Sequence, residues 1–178
     1  MHFATKYIPT CMRILAIDPA IRNTGFAILQ GDAHQQEALD YGVISIPAKI
    51  PQSGALAAVS RGLSNLIQKW QPDEVAVEAI IYVQSHKTAI SMGAARAAAL
   101  IAAAEAGLDI FEYAPTKVKS AVVGKGRADK SQVAFMIRAL LELKETPPSD
   151  AADALAIGMA HLAANDPIRA KVLDRKQI

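Results

Sequence analysis

Runs of apolar residues alternate with polar segments along the chain, and their periods predict strands first and helices later. Three strands joined by short turns come first, over residues 13–18, 24–30 and 39–46, and predict an antiparallel meander. Two further strands, 74–78 and 108–113, follow the helices predicted over 53–70 and 85–106. Three more helices are predicted over 116–122, 129–143 and 149–164. Strands that alternate with helices indicate an α/β fold, with a mixed five-stranded sheet covered by helices on both faces.

The length and cysteine content indicate one domain in a reducing compartment. At 178 residues, the chain can bury a hydrophobic core without a disulfide or a structural metal. Cys11 is the only cysteine, which excludes a disulfide framework and a cysteine-based zinc site. No segment has the length of a membrane-spanning helix, and the N-terminal residues lack a secretory signal, so we expect a cytoplasmic protein.

The same pattern predicts the bounds of the domain. We expect the folded domain over residues 12–165, an N-terminal extension over 1–11 and a flexible polar tail over 166–178. Met12 stands directly before the first strand, so either Met1 or Met12 could be the natural start. The net charge of +2 and the pI near 8.7 are compatible with an anionic partner but do not require one.

Four acidic residues stand where apolar elements begin or end. Asp18 closes the first strand and Glu78 closes the fourth, whereas Asp150 and Asp153 lie at the start of the last helix. If the first and fourth strands are neighbours, Asp18 and Glu78 project from one end of the sheet, where open α/β sheets bind ligands. Their spacing puts Asp150 and Asp153 on one helical face. Because buried charge is costly, converging carboxylates predict a divalent cation, Mg²⁺ or Mn²⁺, and phosphoryl chemistry on nucleic acid.

Each of these positions also has an ordinary structural explanation. Asp18 could cap backbone amides of a hairpin turn, Glu78 could lie on a solvated edge, and the helix dipole favours Asp150 in a first turn. The arrangement of Asp18 before Thr24 and Gly25 also begins actin-like ATPase domains. That class is disfavoured because it needs two such domains and a second glycine-rich phosphate loop, which the sequence lacks.

Basic residues cluster around the glycines of segment 122–126, and they are Lys117, Lys119, Lys125, Arg127 and Lys130. A solvated loop would explain them. The alternative is a phosphate-backbone contact, because glycines allow close approach and the start of the next helix favours anions.

Tyr82 has either a packing or a base-stacking role. His161 has no partner histidine at ligand spacing, which predicts a residue on a helix face rather than a metal ligand.

Small residues dominate the helix predicted over 85–106. They are Ala94, Ala95, Ala97, Ala98, Ala99, Ala102, Ala103 and Ala104. Small side chains allow close backbone approach, which favours tight packing of this helix on the sheet. The alternative is a seam between two copies of the chain in a homodimer.

Together these residues resemble the RuvC-type Holliday junction resolvases over nearly the whole chain, from about residue 14 to residue 164. The matching pieces keep the family's order and spacing: Ile17-Asp18-Pro19 with Thr24-Gly25, Val77-Glu78, Ala89-Ile90-Ser91-Met92-Gly93 with Arg96, Phe111-Glu112-Tyr113-Ala114, Val118-Lys119 with Val122-Val123-Gly124 and Gly126, Lys130-Ser131-Gln132-Val133, and Asp150-Ala151-Ala152-Asp153-Ala154-Leu155-Ala156-Ile157. The resemblance implies an RNase H-like fold, a homodimer and a Mg²⁺-dependent endonuclease that cuts four-way DNA junctions in recombination and repair.

The resemblance also implies roles for individual residues. It aligns Asp18, Glu78, Asp150 and Asp153 with metal-binding catalytic carboxylates that would hold two Mg²⁺ ions per active site, Mn²⁺ being the alternative. It aligns Lys119 and Lys130 with functional basic residues. The candidates for DNA contact are Arg22, Tyr82, Arg96, Lys117, Lys119, Lys125, Arg127 and Lys130. A branch-migration helicase is a candidate partner, and the nucleoid is the expected location.

The sequence departs from the family pattern at three places. These concern how the junction is opened and which sequence is preferred, whereas the carboxylates are all present. Ala20 stands where the family usually has glycine after Asp-Pro, and Ile81 stands where it commonly has a phenylalanine assigned to insertion at the junction centre. The family's Gln-Ala-Arg-Gly becomes Ala94-Ala95-Arg96-Ala97. The changes at Ala20 and Ile81 keep open the alternative of a junction-binding scaffold with weak or no cleavage. A further alternative is a nuclease of the same fold that acts on RNA or other branched DNA.

Overall fold

The computed structural model describes residues 11–81, 85–124 and 127–178 of the chain. Within these ranges the strands are β1 (Met12–Asp18), β2 (Asn23–Gly31), β3 (Gln36–Ser45), β4 (Glu74–Glu78), β5 (Asp109–Tyr113) and β6 (Lys176–Gln177). The helices are α1 (Gln52–Trp70), α2 (His86–Glu105), α3 (Pro115–Val123), α4 (Lys130–Leu140), α5 (Ser149–Ala163) and α6 (Pro167–Leu173). The elements up to α5 follow the order that the sequence predicts, and their bounds are similar.

The described residues form one mixed sheet with the strand order β3-β2-β1-β4-β5-β6. Strands β1, β2 and β3 pair antiparallel, β4 pairs parallel with both β1 and β5, and β6 pairs antiparallel with β5. The predicted α/β class, the antiparallel meander and the adjacency of β1 and β4 are therefore confirmed.

The C-terminal end of the chain differs from the sequence prediction. Helix α6 and strand β6 occupy the segment for which the sequence predicts a flexible tail, so the predicted count of five strands is wrong. The short strand consists of two exposed polar residues, and no hydrophobic period reveals it. Partners elsewhere in the chain hold the segment: Leu173 is buried, and the amide of Ile178 donates to the carbonyl of Ile110 over 3.0 Å.

Each face of the sheet packs against its own set of helices. Ile14 and Ala16 of β1 lie in the core that includes residues of α3, α4 and α5. Leu15 and Ile17, which point the other way, lie in the core that includes residues of α1 and α2. Because neighbouring side chains of a strand point to opposite faces, the continuous apolar run of β1 serves both cores.

Helix α5 packs on β1 and β2 and is buried along most of its length. Gly158 allows the close approach of this helix to the sheet. A Cβ atom at this position would lie 3.2 Å from the Cβ of Ala16 and 2.5 Å from the end of the Leu29 side chain. The backbone of α5 is therefore set tightly against the two strands that position its N-terminus.

Helix α2 has small buried residues on one side and larger apolar residues in solvent. Its buried positions are Ala95, Ala98, Ala99, Ala102 and Ala103, which confirms tight packing of this helix on the sheet. Ile90 is 70% exposed and Ile101 is 53% exposed. The homodimer seam stays a prediction for this exposed side.

Across the described parts of the chain, no helix has the length and hydropathy needed to cross a membrane.

A polar network ties the C-terminal segment to the start of β4. His161 of α5 is fully buried, with Nδ1 2.9 Å from the hydroxyl of Tyr113 and Nε2 2.7 Å from Glu74. Arg175 also donates to Glu74. Burial lowers the pKa of His161, so the neutral ring accepts from Tyr113 and donates to Glu74. His161 thus lies on a helix, as predicted, and is a hydrogen-bonded core residue.

The stability difference between wild type and a His161→Gln variant is expected to shrink as the pH falls from about 7 to about 5. An unfolded chain protonates histidine near pH 6.5, whereas burial lowers the pKa of His161 in the folded protein. Only wild type then loses free energy of unfolding through this group, by up to about 1.4 kcal/mol per pH unit. Denaturant unfolding in EDTA at several pH values measures the difference. A difference that does not change with pH would contradict a neutral His161.

Candidate active site

The carboxyl ends of β1 and β4 bring Asp18 and Glu78 to one edge of the sheet. The two strands are parallel neighbours with Ile17 opposite Val77, so the next residue of each strand reaches the same edge. The residues before them are fully buried, whereas both acidic residues are partly accessible. The structure therefore brings together the first two predicted site residues, as the strand order requires.

The turn after Asp18 and the strand that follows it position the start of α5. The buried hydroxyl of Thr24 donates to the carbonyl of Ala20 over 2.5 Å and closes the turn. Gly25 then pairs with Asp18 across β1 and β2. A Cβ atom at Gly25 would overlap the carbonyl oxygen of Asp150. Glycine at position 25 is thus what allows the first turn of α5 to reach the edge on which Asp18 lies.

The four predicted carboxylates influence one another electrostatically. Burial, followed by the charges of Asp153 and Asp150, raises the pKa of Asp18 from 3.8 to about 6. Burial, followed by the charges of Asp18 and Asp153, raises the pKa of Glu78 from 4.5 to about 7. The site therefore concentrates negative charge that a bound cation would stabilise.

Two of the predicted basic residues lie close to these carboxylates. Lys130, at the start of α4, donates to Asp153 over 2.9 Å, and this hydrogen bond raises the pKa of Lys130. The side chain of Asp129 caps this helix by accepting from the backbone of Gln132, which fixes the position of Lys130. The charge of Lys119 opposes the rise in the pKa of Glu78. Lys119 and Lys130 thus offset part of the negative charge.

The other residues predicted to contact DNA differ in their surroundings. Arg22 donates to a backbone carbonyl after β3 over 2.9 Å, and Lys117 donates to a carbonyl of α6 over 2.6 Å. Arg127 is exposed shortly before α4. Tyr82 and Lys125 lie outside the described residues, so their roles stay predictions.

Arg96, which the sequence predicts as a DNA contact, is partly buried against the end of β4. Its side chain is 13% exposed. Nη1 donates to the carbonyl of Glu78 over 2.7 Å, and Nη2 donates to Glu112 over 2.8 Å. The guanidinium is thus bonded to the protein, and the predicted contact of Arg96 with DNA stays a prediction.

A groove of about 540 Å³ opens beside Asp150, between the β1–β2 turn and α2. Its polar lining residues are Arg22, Asn23, Gln52 and Ser91. Guanidinium, amide and hydroxyl groups are the ones that proteins commonly use to contact the sugar-phosphate backbone and base edges. The groove therefore offers a path for a nucleic-acid strand next to the carboxylates.

The carboxylates have the chemistry of a divalent-cation site but do not form a closed ligand cluster. In residues 11–81, 85–124 and 127–178, no three His, Cys, Asp or Glu side chains are grouped so that they could hold a metal ion. The like charges of the carboxylates oppose a closer arrangement, and Lys130 forms an ion pair with Asp153. Oxygen ligands, and negative charge that the lysines offset only in part, nevertheless suit Mg²⁺ or Mn²⁺. The donor set fits such a cation, and binding requires the carboxylates to approach one another.

Comparison with known proteins assigns the chain to a family. The family model described as Crossover junction endodeoxyribonuclease RuvC matches residues 14–161. The chain belongs to the RuvC family. The matched range includes all four carboxylates and both lysines of the RuvC-like site.

Two curated relatives and one solved structure are similar to this chain over most of its length. The enzyme named Crossover junction endodeoxyribonuclease RuvC from Akkermansia muciniphila is 66% identical over 167 residues, which cover 94% of this chain and 100% of the relative. The relative of the same name from Halothermothrix orenii is 43% identical over 151 residues, with 84% and 92% covered. The structure described as T. thermophilus RuvC in complex with Holliday junction substrate has a TM-score of 0.85 at 32% identity, with 94% and 99% covered. The RNase H-like fold that the resemblance implies is confirmed.

The residues that support the RuvC carboxylates are harder to find in the sequence than the carboxylates themselves. Gly25 is detectable, since glycine inside a strand is a sign of close backbone approach. The contact between Arg96 and Glu78 gives no such signal, because it joins residues 18 apart through a backbone carbonyl. Thr24 belongs to the RuvC-like motif, and only the structure shows that its hydroxyl closes the turn.

Proposed function

We propose that this protein is a structure-selective endonuclease that resolves four-way (Holliday) DNA junctions by paired symmetric nicks in recombination and repair. The main support is that the chain belongs to the RuvC family and carries Asp18 and Glu78 at one edge of the sheet, where the charges of Asp150 and Asp153 reach them. Carboxylates of this kind beside lysines suit hydrolysis of a phosphodiester bond. The relatives are named crossover junction endodeoxyribonucleases, and one was solved with a Holliday junction.

The residues of the site divide the chemical tasks. The four carboxylates would hold the divalent cations, and Asp18 is the one whose charge interacts with those of the other three. Bound cations supply activation of the attacking water and stabilisation of the departing oxygen. Hydrolysis breaks the bond between phosphorus and the 3′ oxygen, leaving a 5′-phosphate and a 3′-hydroxyl. Lys130 is 72% exposed and can turn from Asp153 to the phosphate, where it or Lys119 stabilises developing charge.

A homodimer would match the approximate two-fold symmetry of a four-way junction. The exposed apolar residues of α2, which include Ile90, Met92 and Ile101, supply a surface for it. Two active sites related by a two-fold axis would cut opposing strands at equivalent positions. A branch-migration helicase is a candidate partner, and the nucleoid of the cytoplasm is where such junctions form.

Cleavage of a labelled four-way junction in Mg²⁺ tests this function. We expect paired symmetric nicks on the junction and none on a linear duplex, a single strand or an RNA–DNA hybrid of the same sequence. A ligase should seal the products, since their ends are a 5′-phosphate and a 3′-hydroxyl. The Glu78→Gln variant is the inactive control, because it removes one charged ligand and preserves the shape of the side chain.

Two results would contradict the proposal. Tight junction binding without nicks in either Mg²⁺ or Mn²⁺ would indicate a scaffold, and Ala20 and Ile81 would be the first residues to revert. Equal cleavage of the hybrid or of other branched DNA would indicate a nuclease of the same fold with a different substrate.

A further inference from the structure

Arg96 occupies a position to which the proposed chemistry assigns no task. It lies on α2, and its guanidinium reaches the last residue of β4, where Nη1 donates to the carbonyl of Glu78 over 2.7 Å. Nη2 donates to Glu112 of β5 over 2.8 Å. We infer that Arg96 is a positioning residue for catalysis, which fixes the end of β4 and thereby the carboxylate of Glu78. This inference rests on the proposed nuclease function.

The contact is partly buried and so differs from a fully exposed surface ion pair. The side chains of Arg96 and Glu112 are 13% and 17% exposed. Charge-assisted hydrogen bonds are stronger than neutral ones, and reduced exposure limits screening by water and salt. Lys176 of β6 donates to the other carboxylate oxygen of Glu112 over 2.6 Å, so that Glu112 is held from two sides. Arg96 therefore joins α2, β4 and β5 at one point.

Glu78 needs such support because the chain leaves the sheet directly after it. The amide of Ala79 donates to a carbonyl at the end of β5 over 2.9 Å, and residues 80–81 are exposed. The carboxylate of Glu78 also experiences the like charges of Asp18 and Asp153, which push it away from them. An anchored backbone carbonyl limits this displacement and keeps Glu78 where it can share a cation with its neighbours.

The test compares substitutions at two arginines that make similar hydrogen bonds. Arg96→Met removes both hydrogen bonds and keeps an unbranched side chain. Arg13→Met is the matched control, because Arg13 also donates to a backbone carbonyl, that of Trp70, over 2.7 Å and to a second partner, Gln30, over 2.8 Å. Arg13 lies at the opposite end of β1 from Asp18. Arg96→Lys, which can keep one of the two hydrogen bonds, tests rescue.

Three measurements separate positioning from other roles. In Arg96→Met, we expect the single-turnover cleavage rate at saturating junction to fall about 100-fold, since a displacement of about 1 Å has an effect of this size. Junction affinity in EDTA should change by less than about twofold, because phosphate contacts dominate it. The rise in melting temperature on addition of Mn²⁺ without DNA should be smaller than in wild type. Arg96→Lys should recover about tenfold in rate, and Arg13→Met should cleave at the wild-type rate.

Two results would overturn the inference. Equal rates in Arg96→Met and Arg13→Met, with both variants less stable than wild type, would show that Arg96 is only structural. Weaker junction binding by Arg96→Met, with a shallower dependence on salt, would show a direct DNA contact. Failure of wild type to cleave any junction would instead contradict the nuclease function. The rise in melting temperature on addition of Mn²⁺, compared between wild type and Arg96→Met, would then still decide whether Arg96 supports the cation site.

Discussion

An Asp18→Asn variant is expected to lose junction cleavage by at least about 10³-fold, because several kcal/mol of transition-state stabilisation depend on the bound cations. Asparagine keeps the shape of the side chain but removes a charge that interacts with Glu78, Asp150 and Asp153. Junction binding should persist, since contacts of basic residues with phosphates dominate affinity for DNA. Single-turnover cleavage in Mg²⁺ and binding in EDTA measure the two effects separately.

The same variant is expected to be more stable than wild type when divalent cations are absent. Burial and the neighbouring carboxylates raise the pKa of Asp18 from 3.8 to about 6. A raised carboxylate pKa means that the free energy of unfolding falls as the pH rises through this interval, and at pH 8 the loss is complete. Asparagine avoids the loss, so the variant should gain about 1–3 kcal/mol. Thermal unfolding at pH 8 in EDTA measures the gain.

Added Mg²⁺ should reverse this order of stability. A cation that binds only the folded state raises the melting temperature of wild type, whereas the variant lacks a central ligand and should respond less. Glu145→Gln, which removes an exposed carboxylate, should change neither cleavage nor stability. Cleavage by Asp18→Asn near the wild-type rate would exclude Asp18 from the site. Loss of cleavage together with lower stability in EDTA would point to a damaged fold instead.

A Gly25→Ala variant is expected to lose cleavage by about 100-fold or more, although its charged residues are all retained. The added Cβ atom would overlap the carbonyl oxygen of Asp150 and lie 2.6 Å from its carbonyl carbon. The neighbour is backbone, which cannot rotate away, so the first turn of α5 must shift. Asp150 and Asp153 would then move relative to Asp18. Single-turnover cleavage measures the loss, and circular dichroism and junction binding verify that the variant is folded.

Two other glycines provide controls for this prediction. A Cβ atom at Gly158, on the same helix, would meet the end of the flexible Leu29 side chain. Gly158→Ala should therefore lower stability and leave the cleavage rate of the folded enzyme close to that of wild type. A Cβ atom at Gly93 in α2 has no neighbour within 4 Å, so Gly93→Ala should gain about 0.5–1 kcal/mol. Similar activity in all three variants would contradict the role assigned to Gly25.

The sequence is most informative where one residue type repeats with a regular period. The apolar run of β1 and the helical spacing of α1 predict their elements closely, and alternation of strands with helices predicts the parallel part of the sheet. The edge shared by Asp18 and Glu78 follows from that topology alone. Their roles as ligands stay predictions, because the carboxylates do not close around a cation in the described residues.

Contacts between distant residues are what the sequence could not reveal. From the sequence alone, Arg96 is one of several basic residues that could contact nucleic acid. Only the structure shows its hydrogen bonds to Glu78 and Glu112. His161 sits in an apolar helix, and its partners are 48 and 87 residues away along the chain. Each of these pairs depends on one specific geometry, which neither composition nor periodicity encodes.

Strand β6 also determines how the sheet ends at β5. Gln177 and Lys176 pair with Phe111 and Glu112, and without them the backbone donors and acceptors on that side of β5 would face solvent. An open strand edge is a template for pairing with another chain, which leads to self-association and aggregation. Residues 176–178 thus cover the edge of β5 and prevent it from pairing with a strand of another copy.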